Sequence, residues 1–323
     1  MMRAVVLSEP GPPTNLELRG IPIPLPGPGW VRIRIRAFGL NRSELHTRLG
    51  LAQGVTFPRV PGIECAGTID LDPAGELPVG TQVAAMMGGM GRVFDGGYAE
   101  YTVVPRELVI PFESALGWEI LGAVPETLQT AYGSLTVGLD LRAGQTLLVR
   151  GGTSSTGLAA AALAKDRGAT VLATTRSAAR TELLAAHGVD HPLVDTGRIA
   201  DAVRELVPGG VDAAIELVGT PTLPDTLAAT RVHGTVCFTG MLSNEWVVRD
   251  FYPIGYLPNG VRLTAYGGES ADLPAAVLQR YLDGIAEGRV DLGAPRVYRL
   301  DEIQAAHDDM EHNRVPAKQV VLI

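Results

Sequence analysis

The chain is poor in cysteine, with only Cys65 and Cys237 among 323 residues. Two distant thiols cannot build a disulfide framework or a four-cysteine zinc lobe, so a reducing, cytoplasmic setting is expected. Basic residues are also short. The net charge of −8 argues against nucleic-acid binding, which needs a surplus of Lys and Arg facing phosphate. No long hydrophobic run is present either. The longest, residues 158–164, is too short to cross a bilayer and soon meets Lys165 and Asp166. The first residues read as a short strand containing Arg3, without the apolar stretch of an export signal. No low-complexity tail or internal repeat is evident. A soluble, well-buried protein with no membrane partner is expected, and its length suggests two domains.

Two rhythms divide the sequence near residue 120. Before that point, short β-rich runs alternate with turn residues. Residues 31–37 (VRIRIRA) alternate apolar side chains with Arg, the period of a half-buried strand, and residues 66–69 and 82–86 resemble further short strands. Pro22, Pro24, Pro26 and Pro28 make a stiff connection. This pattern predicts a barrel-like β domain. After it, strand and helix alternate: strand 145–149, helix 158–167, strand 170–174, a helix through Leu183 and Leu184, then strands 211–217 and 235–239. That order predicts a doubly wound parallel sheet covered on both faces. The closing helix 273–286, strand 296–299, helix 302–310 and strand 318–323 could return to the first domain.

Strand 145–149 runs directly into Gly151, Gly152, Thr153, Ser154, Ser155, Thr156 and Gly157, and a helix follows at once. Small residues at such a junction let a pyrophosphate approach the backbone, where helix N-terminal N–H groups stabilise its charge. The loop is therefore read as a dinucleotide site. Its glycines do not follow the G-x-G-x-x-G spacing in this reading, because Ser154 and Ser155 occupy the middle; their hydroxyls could instead donate to phosphate. One strand later, NAD sites usually carry an acid for the ribose 2′-hydroxyl. This chain has Thr174, Thr175, Arg176 and Ser177, then Arg180, which favours a 2′-phosphate and hence NADPH. Ordinary solvated arginines are the competing reading.

With these features in order, the sequence resembles the medium-chain dehydrogenase/reductase superfamily, and within it the zinc-independent, zeta-crystallin-like quinone oxidoreductases. The resemblance runs through MMRAVVLSEPG, FGLNRSELHTRLG, FPRVPGIECAGTI, GGYAEYTVVP, AVPETLQTAYGSL, VRGGTSSTGLAAAALAK, VCFTGM and VPAKQVVLI. It implies a GroES-like β-barrel catalytic domain (1–120 and 268–323), a Rossmann domain (121–267) and frequent homodimers. Zinc-dependent relatives carry ligand Cys and His where this chain has Asn41 and Ile63. Two of the usual three protein ligands are then missing, so no metal is expected. A site formed by His46, Glu64 and Cys65 is disfavoured, because neighbouring strand residues point to opposite faces.

The resemblance also implies that Asn41 orients or polarises a substrate carbonyl beside the nicotinamide, although a turn-stabilising role after Gly39 competes. It implies that Thr130 lies near the same ring, that Phe238, Thr239 and Met241 hold the carboxamide, and that Arg180 meets the 2′-phosphate. Thr175 and Val218, at strand ends, complete the expected cofactor set. His46 replaces an aromatic found in several relatives.

Without a Lewis acid, hydride addition suits activated acceptors such as quinones and α,β-unsaturated carbonyls. The protonating group could be His46, Tyr252, Tyr256 or solvent. Three other readings stay open: a zinc-type alcohol dehydrogenase, an NADPH-binding protein without turnover, and a specialised biosynthetic enoyl reductase on the same fold.

Overall fold

A computed structural model of the chain describes residues 1–315 and 317–323. Pro316, in the closing VPAKQVVLI run, lies outside the described residues. The chain forms two units, Met1–Thr127 with Glu269–Ile323, and Leu128–Gly268 between them.

The first unit begins with β1 (Met2–Leu7), β2 (Leu16–Ile21), β3 (Trp30–Gly39) and helix α1 (Arg42–Arg48). It continues through β4 (Glu64–Leu71), β5 (Gln82–Met86), β6 (Tyr101–Pro105), β7 (Val109–Pro111) and the short helix α2 (Trp118–Leu121). Alternation in β3 works as the pleat requires. Val31, Ile33 and Ile35 are buried, while Arg34 and Arg36 are exposed and Arg32 pairs with Asp70 at 2.6 Å. Helix α2 packs beside Ala37 and Val320 through Trp118, which explains why the chain stays in this unit beyond residue 120.

The second unit follows helix α3 (Pro125–Gly133), which carries the crossing point. Its elements are β8 (Thr146–Arg150), α4 (Ser155–Asp166), β9 (Thr170–Thr175), α5 (Thr181–Ala186), β10 (His191–Val194) and α6 (Ala200–Leu206). Next come β11 (Val211–Glu216), α7 (Leu223–Ala229), β12 (Thr230–Phe238), α8 (Pro253–Tyr256) and β13 (Arg262–Ala265). All six strands are parallel in the order β10-β9-β8-β11-β12-β13. This is a Rossmann sheet, and its order reverses between β8 and β11, where such sheets bind ligands at the carboxyl ends of the strands. Ala159, Ala160, Ala161 and Ala164 of α4 are fully buried; their small side chains let the helix lie close to the sheet.

The chain then re-enters the first unit through α9 (Ala275–Ala286), β14 (Arg296–Arg299), α10 (Ile303–Glu311) and β15 (Gln319–Leu322). Strand β15 pairs antiparallel with β3 and parallel with β14, so the last strands complete a sheet begun near the N-terminus. The order is β14-β15-β3-β4-β5-β7, with β6 beside the first half of β3. This GroES-like sheet is not a closed ring among the described residues, whereas a barrel was expected. Strand β3 divides one edge between β6 and β15, leaving β14 and β7 as ends.

Candidate active site

The loop at the switch point has the geometry of a phosphate cradle. Gly151 has φ +85°, the left-handed turn that glycine adopts without strain. A Cβ on Gly152 would lie 2.7 Å from Ala173 Cβ, and one on Gly157 would lie 2.7 Å from both the Gly151 and Gly152 carbonyl oxygens. These are the first and last positions of G-x-G-x-x-G, so the spacing is kept after all. Ser154 alone replaces the middle glycine.

Ser154 is the N-cap of α4. Its Oγ accepts from the Gly157 N–H at 3.1 Å and donates to the Gly151 carbonyl at 2.9 Å. The hydroxyl proton is thereby committed inside the loop rather than held out for phosphate. Among the described residues, the N–H groups of Ser155 and Thr156 meet no protein acceptor. Thr153, Ser155 and Thr156 are partly exposed beside them. Free N–H groups at the start of a 12-residue helix, with glycine on both flanks, fit a dinucleotide pyrophosphate.

Beneath the loop lies a buried ion network that the sequence did not reveal. Arg150 ends β8 and is fully buried; its guanidinium meets Asp195 at 2.6 and 2.9 Å and Asp225 at 2.7 Å. Burial alone would lower its pKa, but the two aspartates raise it. Glu216, at the end of β11, accepts from the Val218 and Gly219 N–H groups and from the hydroxyls of Thr222 and Thr226. Its pKa is raised by burial in spite of these hydrogen bonds. Val218 is thus held at the strand end, where it was expected to meet the cofactor. Only the position of Arg150, a cation closing an apolar strand, could have signalled this network.

At the end of β9, Thr175 is buried, Arg176 is exposed and Arg180 is half-buried. Asp195 donates its N–H to the Thr175 carbonyl at 2.7 Å, but its carboxylate is occupied by Arg150 and by the Gly197 N–H. On the opposite side of the switch point, Phe238 closes β12 and Thr239 and Met241 follow, all partly exposed. Thr239 Oγ1 lies 3.0 Å from Ser134 Oγ, which donates to the Thr130 carbonyl at 2.7 Å. Ser134 opens a π-helical turn, Ser134–Gly138, which brings Thr130 and Thr239 into one hydrogen-bonded chain. Sequence reasoning singled out both threonines but missed the serine that joins them.

In the first unit, Asn41 is the N-cap residue of α1 and is buried. Its backbone N–H donates to Glu44 Oε2 at 2.9 Å, while Glu44 Oε1 accepts from the Ile63 N–H at 2.8 Å. Its side-chain Nδ2 donates to Glu64 Oε1 at 2.9 Å, and its Oδ1 accepts from Lys318 Nζ at 2.5 Å. Lys318 also lies 3.0 Å from Glu64 Oε1 and 3.6 Å from Glu126 Oε2. Glu64 Oε2 accepts the Glu126 N–H at 2.8 Å. Room for this cluster comes from Gly39, where a Cβ would stand 2.3 Å from Glu64 Oε1 and 2.6 Å from Lys318 Cε. Cys65, the next residue along β4, turns the other way into the apolar core.

The charges respond to burial in opposite ways. Burial would depress the Lys318 pKa, but Glu64 and Glu126 hold it above its ordinary value. Burial pushes Glu44 up to about 7, helped by the charge of Glu64 and opposed by the backbone donors and Lys318. Among the described residues, no three His, Cys, Asp or Glu side chains are arranged to hold a metal ion. His46 sits on α1 with its side chain buried. Tyr252 belongs to the second unit, just before α8, and is 65% exposed, and Tyr256 is half-buried against Phe251. Asn41 and His46 therefore share one helix start, and Tyr252 shares no element with them.

A GroES-like unit combined with a six-stranded dinucleotide-binding unit is the architecture of the medium-chain dehydrogenases and reductases. Residues 27–114 match the alcohol dehydrogenase GroES-like domain family, and residues 155–280 match the zinc-binding dehydrogenase family. The quinone oxidoreductase of Lama guanicoe is 28% identical over 336 residues, covering 100% of this chain and 98% of the relative. Among solved structures, an NAD-dependent alcohol dehydrogenase superposes with a TM-score of 0.87 at 26% identity, covering both chains completely. Mycobacterial Rv1454c, complexed with NADPH, gives 0.85 at 25% identity, again over the whole of both chains. The chain belongs to the medium-chain dehydrogenase/reductase superfamily, is similar over its whole length to quinone oxidoreductases, and is an oxidoreductase. No helix among the described residues is long and apolar enough to cross a membrane.

Proposed function

We propose that the protein is an NADPH-dependent reductase of quinones or α,β-unsaturated carbonyls that works without zinc. The observation that carries this reading is the Asn41 amide held between Lys318 and Glu64, where a metal-dependent relative would need ligands. An internal ammonium already neutralises the carboxylates there, and Asn41 and Ile63 offer neither thiolate nor imidazole.

The nucleotide is held by residues of the second unit. The Ser155 and Thr156 N–H groups bind the pyrophosphate, with Gly152, Thr153, Ser154 and Gly157 shaping the loop. Arg176 and Arg180 bind the 2′-phosphate, and Thr175 and Val218 border the ribose. Two observations support NADPH over NADH: no acid lies between Thr174 and Arg180, and the nearby Asp195 is already paired with Arg150. Thr130, Thr239, Phe238 and Met241 hold the nicotinamide end. When bound, the nicotinamide supplies a hydride.

Asn41 uses its second Nδ2–H, the one not given to Glu64, to stabilise negative charge on the acceptor oxygen. His46 or Tyr252 delivers the proton. A cytoplasmic homodimer fits this reading, and light scattering on the purified protein tests the assembly.

The deciding experiment is an NADPH and NADH oxidation screen over quinones, enones and alcohols, with metal analysis of the same sample. The reading predicts NADPH-dependent quinone or enone reduction by metal-free protein. Alcohol oxidation that tracks stoichiometric zinc would favour a zinc-type alcohol dehydrogenase instead.

A further inference from the structure

We infer that Lys318 and Glu64 are positioning residues that fix which end of the Asn41 amide can face a substrate; the inference rests on the proposed role of Asn41. An amide has two ends of similar shape, and shape alone does not choose between them. Here the neighbours choose. An ammonium can only donate and an ionised carboxylate can only accept. Lys318 Nζ at 2.5 Å from Oδ1, and Glu64 Oε1 at 2.9 Å from Nδ2, are therefore compatible with one orientation only. A flipped amide would set its NH2 against the ammonium and its oxygen against the carboxylate.

The three groups form a closed triangle, because Lys318 Nζ also lies 3.0 Å from Glu64 Oε1. Each corner is fixed from outside. Glu64 is anchored through its second oxygen by the Glu126 N–H, and Asn41 is anchored through its backbone by Glu44. Lys318 stands directly before β15, the strand that returns from the far end of the sequence to pair with β3. The residue that leads into β15 is thus the cation that orients a side chain 277 positions earlier.

This arrangement has a chemical consequence. The ammonium draws electron density from Oδ1 and so strengthens the Nδ2–H groups as donors. One of these is spent on Glu64. The other is the only amide proton left, and it is presented with a fixed sense. Lys318 touches no reacting atom in this account and acts through Asn41.

The test pairs a neutral double substitution with a direct view of the amide. In Glu64→Gln/Lys318→Met both charges go together, so neither is left buried and alone. The chain has five asparagines, so selective [15N]Asn labelling gives five side-chain NH2 pairs, and Asn41→Ala identifies the one from Asn41. The expected result is a displaced or broadened Asn41 NH2 pair in the double variant. A kcat lower by ~10-fold with unchanged KM for NADPH is expected alongside it, while Lys318→Arg restores most of the rate. Should the double variant fail to fold, Lys318→Gln, which can both donate and accept, is expected to split or broaden the same signals. Unmoved NH2 signals and wild-type kcat in a folded double variant, together with loss of turnover in Asn41→Ala, would overturn the positioning role alone. Full turnover in Asn41→Ala would overturn the role of Asn41 itself, and the inference with it.

Discussion

Each unit buries three carboxylates around one cation, but the two clusters are built differently. In the second unit the cation is Arg150, whose planar fork meets Asp195 and Asp225, with Glu216 close by and itself bonded to backbone and hydroxyl donors. In the first unit it is Lys318, set between Glu64, Glu126 and the Asn41 amide, with the carboxyl of Glu44 as the third acidic group acting on it. Arginine offers five donors in a fixed plane and suits a junction that ties strand ends together. Lysine is a point charge on a flexible stem, so its partners supply the geometry. The arginine network has its polar atoms turned on one another and supports the loop above it. The lysine cluster leaves one amide proton unspent. A scaffold and a working site can thus share the same net composition of charge, and what separates them is whether a donor remains free.

The largest expected effect comes from breaking the arginine network. Arg150→Met strands Asp195, Asp225 and Glu216 without their cation, and removing one partner of a buried pair costs about 3–5 kcal/mol. Urea unfolding of the variant should show that loss, and Arg150→Lys should recover only part of it. A cost within experimental error would mean the network is incidental.

Next in size is Asn41→Ala. Loss of one anion-stabilising donor predicts kcat/KM lower by about 10²-fold with the NADPH dissociation constant unchanged. A change confined to NADPH binding would shift Asn41 from the acceptor side of the reaction to the cofactor.

Glu44 sharpens the comparison through pH. Its folded pKa of about 7 exceeds its ordinary value of 4.5, so between those values the folded protein holds a proton that the unfolded chain has released. Stability from this group is complete below pH 4.5, falls as pH rises, and is lost above about 7, a difference on the order of 3 kcal/mol. Glu44→Gln should flatten the thermal midpoint over that window. An unaltered slope would place the titration elsewhere.

The smallest effect expected is that of Ser154→Ala, about 1 kcal/mol from the lost N-cap, with cofactor affinity nearly retained. A large loss of NADPH affinity instead would return Ser154 to the phosphate-donor role read from sequence.

Much of this was legible in the residues alone. The VRIRIRA alternation gave a strand because period-2 burial is a local property, and the order of strands and helices after residue 120 gave the parallel sheet for the same reason. The loop glycines are legible too, since Gly152 and Gly157 hold the first and last motif positions in the sequence itself; the close contacts that demand them appear only in the fold. The ion clusters were hidden more deeply. Asn41 and Lys318 stand 277 residues apart, and Arg150 and Asp225 stand 75 apart. Such pairs exist only once the sheets are assembled. Ser134 was invisible for a different reason: a π-turn that brings it to Thr239 leaves no simple periodic mark.

The central claim, metal-free reduction driven by NADPH, is tested most directly by steady-state oxidation of NADPH and NADH with one quinone acceptor, using protein dialysed against chelator. Full quinone-dependent activity after dialysis and a clear preference for NADPH are expected. Activity that disappears with the metal and returns with zinc, or a preference for NADH, would contradict it.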